Sequence, residues 1–148
     1  GLGDVYKRQV EVEIRFIMTN GELPTKTVID GVAAYLQDEN IRPLTDKVTV
    51  LAPETVKFNI AFTYYVNLSD QSKAGTIQAE VAQAVADYIE WQTRTIGRDI
   101  NPSELMKRIV AAGAKRAEIT FPVFTTVPDT SVARIGTQTV TYGGVEND

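Results

Sequence analysis

The chain has 148 residues, room for roughly one domain, and its 43% apolar and 23% charged residues are close to the average for a soluble globular fold. A formal charge of −4 argues against a nucleic-acid domain, and no apolar run approaches the ~20 residues of a membrane-spanning helix. With neither cysteine nor histidine, disulfides, thiolate and imidazole metal sites, and Ser-His-Asp or Cys-His nucleophiles are excluded.

Asp4-Val5-Tyr6-Lys7-Arg8-Gln9 is what GAT GTG TAT AAG AGA CAG encodes, a string that looks like the transposase mosaic end of sequencing libraries. Residues 1–9 therefore read as an adaptor-derived artefact, with a natural polar tail as the alternative, and are set aside from fold reasoning. Val10, Val12, Ile14, Phe16 and Met18 alternate with mostly charged neighbours, which predicts a half-buried strand closed by Asn20-Gly21. Thr25 is placed as an N-cap for a helix whose apolar face is Val28, Ile29, Val32 and Leu36. Arg42-Pro43 ends that region, and Val48 and Val50 begin a second strand running up to Pro53. This β-α-β stretch, residues 10–52, is small for an independent domain and reads as the remaining half of one.

From Thr55 onward the pattern is stronger. Val56, Phe58, Ile60, Phe62, Tyr64 and Val66 share one strand face, while Lys57, Asn59, Thr63 and Tyr65 form a wetter one. Ile77, Val81, Ala84, Val85, Tyr88 and Ile89 then recur at helical spacing, with Gly97 as the left-handed stop. Asn101-Pro102-Ser103-Glu104 reads as N-cap, N1 proline and acidic first turn. Leu105, Ile109 and Ala112 are the apolar face of that second helix, which Gly113 ends. Ala117, Ile119, Phe121 and Val123 alternate as a strand, and residues 137–142 form the last strand before Gly143-Gly144 releases the chain. The expected architecture is α+β: a partial β-α-β unit, then a β-α-α-β-β domain over residues 53–148 with an antiparallel sheet and both helices on one face.

No constellation has the spacing of a reaction centre. Asp38-Glu39 with Arg42 and Asp46 reads as a solvated helix end, Arg98-Asp99 as a turn-stabilising pair, and Ser69-Asp70 with Ser72 as loop or capping residues. Lys115-Arg116 is too small for nucleic acid, and Gly143-Gly144 lacks the strand-to-helix context of a phosphate loop. Trp91 lies off the buried helix stripe and Tyr65 on the wetter strand face, so each is either core edge or an interface anchor. The stretch 125–136 is a long connection, and such loops are often functional. Tyr65, Trp91, Phe124, Val127 and Arg134 are the candidate interface residues; no catalytic, cofactor or metal residue is nominated.

Arg42-Pro43-Leu44-Thr45-Asp46 followed by Val48-Thr49-Val50, then Tyr64-Tyr65-Val66, Gly97-Arg98-Asp99-Ile100 and Lys115-Arg116-Ala117-Glu118-Ile119, resemble in that order the C-terminal part of the baseplate J family of contractile phage tails. The resemblance covers about residues 10–144, with no counterpart of the family's N-terminal region. It implies a structural wedge subunit of the virion tail baseplate, assembled in the host cytoplasm, with no catalytic residues and no cofactor. Implied partners are a tail protein of the I family, the lysozyme-like wedge protein and further copies of the chain. An equivalent part of a phage-derived injection system fits the same motifs. From other classes, the rivals are a small-molecule-binding or regulatory α+β module and, more distantly, a cell-wall hydrolase, which would need two carboxylates across a cleft.

Overall fold

The computed structural model describes residues 10–38 and 46–148. The adaptor reading of residues 1–9, the Arg42-Pro43-Leu44-Thr45 portion of the motif, and Glu39 and Arg42 of the acidic cluster lie outside the described residues. The chain divides into two units, Gly1–Pro53 and Glu54–Asp148.

In the first unit, β1 (Val10–Arg15), α1 (Lys26–Leu36) and β2 (Asp46–Leu51) form a β-α-β crossover. The strands pair in parallel, Val12 opposite Val48 and Ile14 opposite Val50, a geometry that needs a helical return. Thr25 caps α1, its side chain accepting from the Val28 N–H at 3.3 Å. The strand stops at Arg15 instead of reaching Met18, since Arg15 pairs with Leu51, the last residue of β2, and a tight turn follows. The Met18 N–H donates to Glu22 O and the Gly21 N–H to Met18 O, both at 2.8 Å, with Gly21 at φ 83°. Val50 is buried, whereas the apolar face of α1 (Val28, Ile29, Val32, Leu36) is only half-buried.

In the second unit, β3 (Glu54–Asn67) leads through a 3-10 turn (Leu68–Lys73) into α2 (Ala74–Thr93), then α3 (Pro102–Ala111), β4 (Arg116–Phe121) and β5 (Ser131–Glu146). The strand order is β4-β3-β5. β3 alternates as its sequence dictates: Phe58, Ile60, Phe62, Tyr64 and Val66 are buried. Ile77, Val81, Val85 and Tyr88 of α2 and Leu105 and Ile109 of α3 join them in one core, so both helices cover the same sheet face. Asn101 caps α3 by accepting from the Ser103 N–H, Pro102 opens it, and Gly113 at φ 114° ends it. A Cβ at Gly113 would lie 2.9 Å from Ile77 Cγ1, so this stop is also a close approach of backbone to core.

Three expectations are corrected here. The sheet is mixed, since β4 pairs antiparallel with β3 and β5 pairs parallel with it. The cause is topological: the connection after β4 crosses to the far edge of β3 instead of closing a hairpin, so one reversal leaves β5 running with β3. Gly97 has the left-handed φ of 77° but lies beyond the helix cap at Arg94, where its N–H donates to Ser131 O at 2.8 Å. The last strand spans Ser131–Glu146 and not 137–142. Phe58 opposes Ile135 but Ile60 opposes Gln138, and Tyr64 opposes Tyr142 but Val66 opposes Val145. Each step places an extra residue in β5, at Gly136 and at Gly143-Gly144, and each reverses the in/out phase. A bulged strand does not alternate, so its ends read as loop.

Candidate protein interface

The loop between α2 and α3 is organised by a buried side chain, Gln92. The Tyr88 hydroxyl donates to Gln92 Oε1 at 2.9 Å, and the Asn101 N–H donates to the same oxygen at 3.1 Å. Gln92 Nε2 in turn donates to Asp99 O at 2.8 Å and to Arg98 O at 3.2 Å. One amide thereby satisfies donors and acceptors that a buried loop would otherwise strand. Burial pushes the Tyr88 phenol up to about 12, so it stays a neutral donor at ordinary pH. Asp99 extends the lattice by accepting the Val127 N–H at 2.9 Å, and Ile100 and Thr125 exchange backbone hydrogen bonds at 2.8 and 3.1 Å. The Gly97-Arg98-Asp99-Ile100 motif is thus a backbone junction between the helices and the β4–β5 connection.

Trp91 is half-buried beside this junction, packed on the core and tilted against Tyr88 with ring centroids 6.1 Å apart. Arg98 lies over its ring at 4.3 Å and donates to Trp91 O at 2.7 Å, while Arg108 sits 5.9 Å from the ring and pairs with Glu104. An open depression of about 360 Å³ surrounds them, lined also by Asp87, Glu90, Arg94 and Thr95. Glu90 and Arg94 are ion-paired to each other.

Tyr65 is half-buried on the second sheet face under the Arg116 guanidinium, 4.1 Å from its ring centre. The ring edge abuts Gly143, where any Cβ would overlap it. Arg116 grips Glu146 through Nε at 2.6 Å and through its second nitrogen at 3.1 Å, and Lys115 Nζ reaches Glu146 Oε1 at 3.1 Å. The hydrogen bonds from Arg116 and Lys115 hold the Glu146 carboxyl down to about 2, and Glu146 with Glu118 raises Arg116. A depressed carboxylate contributes order above its unfolded value, and that contribution is lost as pH falls through the folded one. The clasp is therefore intact at neutral pH and opens only as pH approaches about 2. Carbon-detected NMR titration of Glu146 should find its midpoint near that value, and Arg116→Ala should bring it back toward the ordinary 4.5. An unchanged midpoint in the variant would show that Arg116 does not set it.

The candidate residues fare differently around the β4–β5 connection. Val127 is 5% exposed and belongs to the core, so it offers no free surface and is withdrawn as a contact residue. Arg134 is half-buried, donating to Thr93 O at 2.8 Å and Ala133 O at 3.3 Å, and burial lowers its guanidinium. It ties β5 to the end of α2. The stretch expected as a long loop is pinned at Thr125, Val127, Thr130 and Ser131, and its last six residues are strand. Phe124, by contrast, is 60% exposed, and Val123 and Phe121 beside it are 61% and 48% exposed. The alternation reading hid these neighbours by assigning Val123 to a strand. Pro122 was the available signal, since proline inside a run marks an edge or a break.

A second depression, also about 360 Å³, opens between α2 and β5, lined by Tyr64, Ala82, Val85, Val140 and Tyr142 with the neutral amides Gln78 and Gln138. Burial raises the Tyr64 phenol, and the lining contains no Asp, Glu, Lys or Arg. Among the described residues, no group of three or more acidic side chains could hold a metal ion, and no helix is long and apolar enough to cross a membrane. These surfaces can bury area and pair charge; they assemble no nucleophile, base or oxyanion donor set.

Two family models match the chain in sequence order: the Baseplate J-like central domain over residues 4–52 and the Baseplate J-like protein C-terminal domain over residues 56–141. The chain is 29% identical over 119 residues to Baseplate protein J of Escherichia phage P2, an alignment covering 80% of this chain and 38% of that protein. The chain thus spans well under half the length of this relative. The motif order, the α+β unit with its central strand, and the C-terminal match over more than half of the residues all agree: the chain belongs to the Baseplate J-like family.

Proposed function

We propose that this chain is a structural wedge part of a contractile-tail baseplate, acting through protein–protein contacts and carrying no chemistry of its own. The observation that carries this reading is the ordered pair of matches, central then C-terminal domain, across residues 4–141. The surfaces fit such a role: an exposed aromatic crown at Phe121–Phe124, a stacked Trp91–Arg98 flank and a Tyr65–Arg116 sheet face. Aromatic and arginine anchors of this kind dominate binding energy at interfaces. Its partners would be a tail protein of the I family, the lysozyme-like wedge protein and other copies of the chain. Its place would be the virion tail, reached by assembly in the host cytoplasm.

The test is direct. Tail particles purified from cultures carrying this gene should contain peptides of this chain, and antibody raised against it should label the baseplate end of the tail. Particles that lack the chain, while sheath and tube proteins are present, would overturn the proposal.

A further inference from the structure

We infer that the middle of β5, Gln138–Tyr142, is an acceptor edge at which an extended segment of a partner protein adds as a fourth strand under α2. This names the form that one contact of the assembly part takes, and it rests on that reading. β5 is an outer strand of the β4-β3-β5 sheet, and both of its ends are occupied. Ser131 O accepts from the Gly97 N–H at 2.8 Å, Arg134 reaches Thr93 O, and Glu146 is held by Arg116 and Lys115. Between them, nothing among the described residues bonds to the outer edge of Gln138–Tyr142. Thr137 to Thr141 are exposed one after another, on both faces of the sheet. Proteins ordinarily guard such an edge with charges, proline or bulges. The β4 edge follows that rule, carrying Arg116 and Glu118 and ending at Pro122. Residues 136–145 hold no charge and no proline, and Gln138 to Tyr142 run in unbroken register between the two bulges.

The depression between α2 and β5 shows what the layer lacks. Opposite residues of paired strands share a face, and Gln138, Val140 and Tyr142 oppose Ile60, Phe62 and Tyr64. Those three β3 residues are at most 3% exposed, whereas Gln138 is exposed and Val140 is 41% exposed. The core-facing row of β5 is therefore bare at its middle, while α2 reaches over it with Gln78, Ala82 and Val85. The space has about 360 Å³, and a cavity of ~150 Å³ already accepts a benzene ring. A strand laid along β5 presents alternate side chains about 6.6 Å apart on that side, so two of them enter the space. The lining also sets their chemistry. With no Asp, Glu, Lys or Arg in it, a charged side chain would lose water there without gaining a partner, whereas a small apolar one such as valine fits. The opposite face of β5 offers Thr139 and Thr141, which suit threonine as a cross-strand neighbour. The segment recognised is thus extended and uncharged, alternating apolar with β-branched polar residues. Strand addition draws its affinity from main-chain hydrogen bonds, so this contact does not need the ~800 Å² per partner of a standard interface.

The experiment titrates the isotope-labelled full chain with a lysine-flanked peptide of alternating valine and threonine. Binding with a Kd below about 1 mM is expected, with amide shifts at Gln138–Tyr142, Ala82 and Val85. The same peptide with its valine and threonine nitrogens methylated keeps its side chains and charge but cannot donate to a sheet. It should bind at least about tenfold more weakly. Val140→Arg places a charge in the depression and should weaken the unmodified peptide by a similar factor, with unchanged Trp91 fluorescence as the sign of an intact fold. The comparison of the two peptides needs no variant, so it decides the matter even where Val140→Arg fails to fold. Equal binding of both peptides, shifts confined to other surfaces, or no binding at about 1 mM would each overturn the acceptor edge. So would wild type that dimerises through Gln138–Tyr142 without peptide, since the edge would then belong to a second copy. None of these results touches the presence of the chain in purified tails, the separate test of the baseplate reading.

Discussion

Replacing Gln92 with leucine should destabilise the Glu54–Asp148 unit by about 3 kcal/mol or more, although the two side chains are close in size. The substitution leaves volume nearly unchanged and removes both ends of the amide. The Tyr88 hydroxyl and the Asn101 N–H lose the oxygen they share, and Arg98 O and Asp99 O lose their donor. Each buried group deprived of a partner costs about 1–3 kcal/mol; the Tyr88–Gln92 bond is buried and the other three are part-buried, so their losses together reach about 3 kcal/mol even where water replaces part of the amide. Trp91 is the chain's one tryptophan and adjoins Gln92, so its fluorescence reports this unit alone. Urea titration followed at Trp91 should show a lower midpoint with an unchanged slope. A loss below about 1 kcal/mol would mean that the loop holds its own geometry without the amide.

The Gln92 junction also shows where a sequence stops being legible. Regular elements were readable because their periods are local: β3 declares itself at period two, α2 at helical spacing, and α3 through Asn101 and Pro102. Gln92 was unreadable because nothing about a glutamine near a helix end says that its amide will close over residues six to nine positions later. β5 was half readable for a related reason. Its two glycine-containing bulges each shift the phase, so a strand of sixteen residues shows clean alternation only in its middle. The mixed sheet was illegible altogether, because parallel pairing of β5 with β3 depends on which edge the β4–β5 connection reaches. The resemblance motifs gain a physical meaning here: Gly97-Arg98-Asp99-Ile100 supplies backbone acceptors to Gln92, a carboxylate to Val127 and a guanidinium over Trp91.

Trp91→Ala and Phe124→Ala should separate two aromatics that the sequence nominated for the same role. Trp91 packs on the core, meets Tyr88 at a tilt and is covered by Arg98, which also hydrogen-bonds its carbonyl. Truncation of a fully buried aromatic costs about 3–5 kcal/mol, so a half-buried one should cost about 2–3 kcal/mol. For a domain of this size that lowers the Tm by roughly 10 °C or more, readable by circular dichroism. Phe124 is 60% exposed, and its removal should leave Tm within about 2 °C of wild type. If Phe124→Ala unfolded the chain, the crown would be part of the fold. If Trp91→Ala left Tm unchanged, the Trp91–Arg98 stack would be surface ornament and free to serve a partner. The distinction rests on where each ring is held: Trp91 between a helix and two arginines, Phe124 on a connection fixed at its base and bare at its tip.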